Sequence, residues 1–341
     1  MSQQQPLLIV SGDDIVELLD QRETEILEAV AEGYKAHARG HSSLPHSNFL
    51  RFPDSDRDRI IALPAYVGEP FELAGIKWIA SVPGNIERGM ERASATVILN
   101  HRDTGRPFAI LEGSIISARR TAASAALAAR ELHRGEAPEV IGLVGCGLIN
   151  WEICRFLAAV WPQARRFVAY DLSTERAEQF GRRLEAAIPG ATLQAAASLE
   201  EALGASPVSS FATTAVNPYL ENLDACPEGA TVLHISLRDL LPEAILAHDN
   251  VVDDLDHVCR AGTSIHLAAE ATGHRDFVRT TLGEVLLGQA PPAPEDRAII
   301  FSPFGMGVLD LAVSDLVYRR AREEGRGTDV PSFLPTPWTE R

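Results

Sequence analysis

The stretch VIGLVGCGLIN, residues Val140–Asn150, decides the fold. Its apolar run predicts a buried strand, and the residues from Leu148 onward predict a helix. Gly145 and Gly147 fall in the turn between them. In that context Gly145 permits a tight turn, and Gly147 lets the backbone approach a pyrophosphate at the helix N-terminus, where N–H groups and partial positive charge are available. The turn therefore predicts a dinucleotide-binding site.

An acidic residue supports this prediction. Asp171 ends the next apolar run, 24 residues after Gly147, where a carboxylate would accept both ribose hydroxyls of the adenosine. It would repel a 2′-phosphate, and Leu172 and Ser173 supply no adjacent Arg, so NAD is favoured over NADP. Asn150 replaces the third glycine of the usual pattern, which predicts a looser helix–strand contact. The alternative is an ordinary strand–helix turn with Asp171 as a helix cap.

Apolar runs alternate with helical segments over the second half of the chain. The runs read VIGLVG, RFVAYD, ATVLHIS and NVVDD, with helices predicted over Leu148–Val160 and Ser173–Ala187. This alternation predicts an α/β fold, a Rossmann-like doubly wound parallel sheet. Helices over Asp13–His37 and short strands over Arg59–Asn100 predict a second, α+β domain. A last helix, from Val308 to about Glu324, can return to that domain and make it discontinuous.

Composition narrows the class of protein. Among 341 residues, 31 Lys+Arg stand against 47 Asp+Glu, a net charge of −16, and 45% are hydrophobic. The chain is globular, and without a basic block we expect no nucleic-acid partner. The first basic residue is Arg22 and no apolar run reaches the ~20 residues of a membrane helix, so we expect a cytoplasmic protein. Four cysteines without a CxxC pair predict reduced thiols used in packing.

Several charged residues outside the glycine-rich turn are candidates for chemistry. Lys77 lies inside the apolar run AGIKWIA, where it either faces a cleft and binds a carboxylate or handles a proton, or points to water from an edge strand. Arg119 and Arg120 open an Ala-rich helix; one is expected to offer its fork to a carboxylate and the other to lie on a solvated face. Asp239 follows a strand at its carboxyl end, where ligands bind in such sheets, or else caps the segment from Leu240.

The run VVDDLDHVCR groups Asp253, Asp254, Asp256, His257 and Cys259. Strand and loop geometry would scatter these side chains, and no second His or Cys stands at ligand spacing, so we expect no metal. The chain contains neither a GxSxG elbow nor a Walker loop, which argues against a serine hydrolase and a P-loop enzyme.

Taken together, the motifs resemble the ornithine cyclodeaminase/mu-crystallin family. The resemblance covers nearly the whole chain and rests on GIKWIAS, DTGRP, ARRTAASAALAAREL, VGCGLIN, FATTAVNPYL, LGEVLLGQ and FSPFGMGVLDLA. The stretches IKWIASVPGNIERGMERASATVILN and FSPFGMGVLD look most like the branch that forms 2,3-diaminopropionate for siderophores and peptide antibiotics.

The resemblance implies a Rossmann NAD-binding domain over 118–305 and a substrate-binding and dimerisation domain from 1–117 with 306–341, in a homodimer. It places substrate binding on Lys77, Arg120 and, early in the chain, Arg51, and catalysis on Asp239 and Lys77. Cofactor-binding positions fall on Gly145, Gly147, Leu148, Ile149, Asp171, Thr213, Thr214 and Ser236.

The reaction implied is an NAD-dependent oxidative cleavage of N-[(2S)-2-amino-2-carboxyethyl]-L-glutamate to L-2,3-diaminopropionate and 2-oxoglutarate. Hydride leaves the glutamate Cα for the nicotinamide, and Asp239 positions or deprotonates the water that attacks the resulting imine. Two alternatives remain open. One is an ornithine/lysine cyclodeaminase, amino-acid dehydrogenase or ketimine reductase of the same family, and the other is a mu-crystallin-like binding protein without catalysis.

Overall fold

A computed structural model describes residues 6–336 and 338–340. The strands are β1 Leu7–Val10, β2 Ser42–Ser43, β3 Asn48–Phe52, β4 Ser55–Val67, β5 Leu73–Ser81, β6 Ala93–His101, β7 Pro107–Glu112, β8 Val140–Val144, β9 Arg166–Tyr170, β10 Thr192–Ala195, β11 Val208–Phe211, β12 Thr231–His234, β13 Asp249–Val252, β14 Val278–Thr281, β15 Ile299–Ser302 and β16 Thr328–Val330.

The helices are α1 Gly12–Leu18, α2 Glu23–Ala38, α3 Ser114–Leu132, α4 Leu148–Val160, α5 Thr174–Ala187, α6 Leu199–Gly204, α7 Pro242–Ala247, α8 Leu255–Val258, α9 Ser264–Thr272, α10 Leu282–Leu286 and α11 Gly307–Glu324. Short 3₁₀ helices cover Pro83–Arg88 and Trp338–Glu340. None of these helices is both long and apolar enough to cross a membrane.

The chain divides into two compact units. Unit 1 comprises residues 1–120 and 306–341, and unit 2 comprises residues 121–305, so the division falls within α3. Unit 1 is therefore discontinuous in sequence. The assignment of NAD binding to one domain and of substrate binding and dimerisation to the other stays a prediction.

The sheet of unit 2 has the order β10-β9-β8-β11-β12-β15-β13-β14, and all its strand pairs are parallel. From β8 the chain winds outward through β9 and β10, then returns to the other side of β8 at β11. The order therefore reverses between β8 and β11, the switch point at which doubly wound sheets bind their ligands. The predicted Rossmann-like sheet is confirmed.

The sheet of unit 1 has the order β16-β1-β7-β6-β5-β4-β2, with β3 also paired to β4. Its central pairs β4–β5, β5–β6 and β6–β7 are antiparallel. Helix α11 packs on one face: a Cβ built on Gly75 of β5 would lie 2.8 Å from a methyl of Leu311. Because side chains alternate along a strand, Leu73, Lys77 and Ser81 of β5 share this face with Gly75, and all three are buried.

A proline stands in the middle of β4. Pro64 pairs with Ile76 of β5 on one side, where the ladder is continuous. On the other side β3 reaches only as far as Ala62, and β2 begins to pair at Tyr66. Pro64 thus lies in the gap between two partners, where its missing N–H leaves no ladder bond unmade.

All four cysteines are free thiols. Cys146, Cys154 and Cys259 are buried and Cys226 is half-buried. Burial raises the pKa of the Cys146 and Cys226 thiols to about 12, so both stay protonated. The prediction of reduced packing residues agrees with this placement.

Candidate active site

The glycine-rich turn contains one position, Gly145, whose backbone only glycine accommodates. Gly145 has φ +93°, and a Cβ there would lie 2.7 Å from the carbonyl oxygen of Ala212, which follows β11. Gly147 precedes α4 as its N-cap without a side-chain capping bond, and open space surrounds its missing Cβ. The first N–H groups of α4 have no capping partner from this residue, so the turn fits a pyrophosphate.

The contacts of Asn150 show that the prediction of a loose helix–strand contact is wrong. It is fully buried, and its amide nitrogen donates to the carbonyl oxygens of Val144 at 3.0 Å and Gly145 at 2.6 Å. Its amide oxygen accepts a hydrogen bond from Ser210 Oγ at 2.8 Å. The side chain thus joins α4 to β8 and β11 with hydrogen bonds where a glycine would rely on close packing.

Asp171 links the turn between β8 and α4 to the turn between β9 and α5. Its Oδ2 accepts the backbone N–H of Cys146 at 2.9 Å, and Oδ1 accepts that of Ser173 at 2.9 Å. The cap of α5 is Ser173, not Asp171, so the helix-cap alternative is wrong. Arg176 was not predicted to lie near Asp171, because it is not adjacent in sequence. Its guanidinium lies 3.3 Å from Oδ1, since one turn of α5 brings it back over the carboxylate. Arg176 is largely exposed, with 61% of its side chain accessible.

Asp239 sits at the centre of a second cluster, beyond the end of β12. Its carboxylate accepts hydrogen bonds from the hydroxyls of Thr213, Ser236 and Tyr219, the last at 3.1 Å. Its Oδ2 also lies 3.3 Å from His234 Nε2. Helix α7 begins at Pro242 with Leu241 as N-cap, so Asp239 is not the helix cap that was the alternative.

The electrostatics of this cluster favour an ionised carboxylate. Burial raises the pKa of Asp239, but hydrogen bonds and charge from His234, together with hydrogen bonds from Ser236 and Thr213, outweigh it and leave the pKa below its usual value. Burial and the neighbouring carboxylate raise the pKa of Tyr219, so this phenol stays a donor. A carboxylate with donors on both oxygens is a strong acceptor and a weak base.

The structure thus joins residues that the sequence placed in different roles. Thr213 and Ser236, predicted at the cofactor, both bind Asp239, while Leu148 and Thr214 are exposed and Ile149 is half-buried. His234 and Tyr219 were missed. The buried strand run TVLH gave the only sequence signal for His234, as an imidazole in an otherwise apolar strand.

In unit 1, Lys77 and Arg120 meet at an acid that the sequence did not single out. Asp310 on α11 lies 2.7 Å from Lys77 Nζ through Oδ2 and accepts a 2.9 Å hydrogen bond from Arg120 Nε through Oδ1. Lys77 Nζ also donates to Ser117 Oγ at 3.0 Å. Asp310 is fully buried. The sequence signal that could have identified it is a single acidic residue within the apolar run GVLDLAV.

Two cations and one anion leave this buried cluster with one uncompensated positive charge. Lys77 is 2% exposed on an interior strand, so the alternative of an edge-strand lysine in water is wrong. Burial lowers its pKa most, Asp310 opposes this and Arg120 adds to it, and the net result is a pKa of about 8. The cluster is therefore suited to bind a carboxylate.

The structure contradicts one prediction about the arginines and leaves another untested. Arg119 and Arg120 are 5% and 8% exposed, so neither lies on a solvated helix face. Arg51 is exposed on β3 and its guanidinium lies 5.7 Å from the centroid of the Phe49 ring. Among the described contacts, none joins Arg51 to Lys77, Arg120 or Asp310, and its role stays a prediction.

In the acidic run after β13, Asp253 and Asp254 bind backbone N–H groups. Asp253 is buried and accepts the backbone N–H groups of Asp254, Phe304 and, at 2.6 Å, Gly305. Asp254 caps α8 and binds His257 Nδ1 at 2.7 Å. The two acids thus serve different segments of backbone.

Comparison with known proteins identifies the family. The model of the ornithine cyclodeaminase/mu-crystallin family matches residues 10–325. The chain belongs to the ornithine cyclodeaminase/mu-crystallin family. The predicted membership is confirmed. A curated member, the N-((2S)-2-amino-2-carboxyethyl)-L-glutamate dehydrogenase of Staphylococcus aureus, is 30% identical over 331 residues, which cover 95% of this chain and 98% of that protein.

Two solved structures illustrate how closely the fold is shared. An archaeal alanine dehydrogenase dimer with bound NAD has a TM-score of 0.86 and 27% identity, covering 96% of this chain and 99% of that one. The Thermococcus litoralis Delta(1)-pyrroline-2-carboxylate reductase, in complex with NADH and L-proline, has a TM-score of 0.88 at 23% identity, covering 95% and 100%. The second likeness shows the fold alone.

Proposed function

We propose that this protein cleaves N-[(2S)-2-amino-2-carboxyethyl]-L-glutamate oxidatively, with NAD, to L-2,3-diaminopropionate and 2-oxoglutarate. The observation that carries the proposal is the 30% identity, over 95% of the chain, with the Staphylococcus aureus dehydrogenase of that substrate. The broader class follows from the family: the chain is an NAD-dependent oxidoreductase that acts on a C–N bond of a small amino-acid-derived substrate.

The glycine-rich turn and Asp171 would hold the cofactor. The N-terminus of α4 would meet the pyrophosphate, and the carboxylate of Asp171 would accept the ribose hydroxyls, with Oδ1 exchanging its contact to the exposed Arg176 for one of them. Bound NAD would supply the hydride acceptor for the oxidation of the substrate at its glutamate Cα. The sugar contact with Asp171 makes NAD the preferred cofactor.

Lys77 and Arg120 would bind substrate carboxylates. Their cluster carries a net positive charge inside a protein whose total charge is −16, and both side chains are held in place by Asp310. A charge-assisted hydrogen bond to a carboxylate fixes the substrate with directional contacts. A fixed substrate raises the rate because the reacting C–H is held in one orientation.

Asp239 would position the water that attacks the imine. It is fully buried, whereas the hydroxyl-bearing residues Thr213, Ser236 and Tyr219 around it are partly accessible. Each hydroxyl donates to Asp239, so its oxygen can still accept a hydrogen from water, and Thr213 Oγ1, which also accepts the backbone N–H of Ala215, keeps one lone pair for it. The ionised Asp239 thus orients a set of acceptors, and Lys77 is the group with a pKa suited to proton transfer.

A homodimer is part of this proposal. On the sheet face of unit 1 opposite α11, four isoleucines form a row across β5, β6, β7 and β1, in the order Ile76, Ile98, Ile110 and Ile9. Ile9 is 40% exposed and the nearby Trp78 is 43% exposed. An apolar sheet face of this extent suits a second copy of the chain. The archaeal alanine dehydrogenase of similar fold is a dimer, which supports this part of the proposal.

The test is product analysis with a substrate panel. Purified protein with NAD is given the carboxyethyl-glutamate, L-alanine, L-ornithine and L-lysine, while NADH absorbance is followed and products are identified by mass spectrometry. Stoichiometric NADH, 2-oxoglutarate and diaminopropionate are expected from the first compound only. Proline from ornithine without net NADH would assign a cyclodeaminase, and NAD binding without any turnover would assign a binding protein. The siderophore or antibiotic pathway and the cytoplasmic location stay predictions.

A further inference from the structure

A second cationic position lies on the same sheet face as Lys77. Arg92, at the start of β6, donates from its guanidinium to Ser81 Oγ at 2.8 Å. Ser81 is four residues after Lys77 on β5, which places it on the same face about 13 Å along the strand. Ser81 is 6% exposed and Arg92 is half-buried, so this contact lies inside the fold.

The guanidinium of Arg92 carries a charge for which the described contacts give no anionic partner. Burial lowers the pKa of its guanidinium, and no described carboxylate forms an ion pair with it. Ser81 takes one of the five N–H donors and removes no charge. A partly buried cation without an anionic partner is costly, which favours an anion from outside the chain.

The described residues between the two cationic positions on this face are apolar. Between Lys77 and Ser81 the face is formed by Ile79 and, opposite it on β6, Ala95. Two cationic positions joined by a short apolar strip match a molecule with two carboxylates separated by methylene groups.

We propose that Arg92, held by Ser81, binds the side-chain carboxylate of the glutamate part of the substrate, while Lys77 and Arg120 bind a carboxylate nearer the reacting carbon. The inference rests on the proposed function, whose substrate carries three carboxylates. Arg92 would then select a substrate with a distal acid over a neutral one of equal shape. A planar guanidinium with free donors can bind such a carboxylate through two hydrogen bonds.

The experiment compares two substrates that differ in this charge alone. The glutamate compound and its glutamine isostere are tested with wild type, Arg92→Ala, Arg92→Lys and Arg88→Ala. Arg88 is exposed at the end of the 3₁₀ helix on the same hairpin, and its replacement makes the same change in charge. Arg92→Ala is expected to lower kcat/KM for the glutamate compound on the order of 10–100-fold, with changes within about threefold for the isostere. Arg92→Lys should restore part of the loss, and Arg88→Ala should leave both substrates unaffected.

Equal losses on both substrates in Arg92→Ala, or an equal loss in Arg88→Ala, would overturn the assignment. If the wild type turns over neither compound, the proposed function is contradicted. The Arg92 subsite is then tested separately, by ligand binding. Calorimetric titration of 2-oxoglutarate and of its amide, 2-oxoglutaramate, then compares wild type with Arg92→Ala in the presence of NADH. A preference of the wild type for 2-oxoglutarate that disappears in Arg92→Ala supports the subsite, and an unchanged ratio, or no preference in the wild type, sinks it.

Discussion

The carboxylate of Asp310 lies 2.7 Å from the ammonium of Lys77, with both side chains almost completely buried. The same carboxylate binds Arg120, so one acid neutralises half of the charge that two basic residues bring into the interior of unit 1. Removal of that acid would leave two buried cations facing each other.

We therefore expect Asp310→Asn to reduce the free energy of unfolding on the order of 3–5 kcal/mol, since breaking a buried pair leaves uncompensated charge. Asp315→Asn, on the same helix, removes an acid paired with the largely exposed Arg319 and should cost about 1 kcal/mol or less. Urea unfolding of both variants measures the difference. Equal stability of the two would mean that Asp310 is not the partner on which the cluster depends.

The pH dependence of kcat/KM should report the ionisation of Lys77. Its pKa of about 8 means that the ammonium is present below that pH and is lost above it. If the ammonium binds a substrate carboxylate, kcat/KM falls as pH rises through about 8, and Lys77→Arg removes this limb because the guanidinium keeps its charge. A rise through the same pH, absent in Lys77→Arg, would instead make the neutral amine a base.

Cofactor choice should depend on Asp171 and Arg176. We expect wild type to prefer NAD, and Asp171→Asn, whose single amide oxygen can accept only one of the two backbone N–H bonds, to lose about tenfold in kcat/KM for NAD. Arg176→Ala should lower the residual activity with NADP, because the exposed guanidinium is the group available for a 2′-phosphate. Glu175→Ala is the control at the neighbouring position. Equal use of both cofactors by wild type would contradict the role given to Asp171.

Asp239→Asn should separate chemistry from folding. An amide keeps the size of the side chain, and the surrounding hydroxyls can rotate to meet its NH₂ group, so the melting temperature should change little. The negative charge that aligns Thr213, Ser236 and Tyr219 is lost, and we expect kcat to fall about 10²-fold or more. Turnover within a few-fold of wild type would contradict the role of Asp239 in positioning the water.

The isoleucine row should hold two copies together. Ile98→Arg places a charge in the middle of the row and is expected to convert a dimer into a monomer in light-scattering measurements. Ile86→Arg is the matched control, because Ile86 is 62% exposed on the 3₁₀ helix and belongs to no strand. A wild type that is monomeric at micromolar concentration would remove the dimer from the proposal.

The sequence predictions were most accurate where the pattern involves residues close together in the chain. The strand, glycine turn and helix around Gly145 are close in sequence, and their pattern predicted both the fold and the position of the turn. Lys77 was visible because a charge interrupts an apolar run. Asp310 was not predicted as its partner, since the strand position and the helix position come together only through the packing of α11 on the sheet.

Errors arose where a side chain's partner depends on tertiary structure. Asn150 looked like a weak substitute for glycine, but its partners Val144 and Ser210 belong to two different strands. Arg176 lies five residues after Asp171, beyond its sequence neighbours Leu172 and Ser173, and the first turn of α5 returns it to the carboxylate.

The split of unit 1 between the two ends of the chain has a consequence for biosynthesis. A ribosome releases Lys77 and Arg120 long before Asp310, which lies 190 residues beyond Arg120. Unit 2 is one continuous segment and has all its strands available before α11 is made. The nascent N-terminal sheet must therefore wait, with two unpaired basic side chains and no strand β16 at its edge, until nearly the whole polypeptide has emerged.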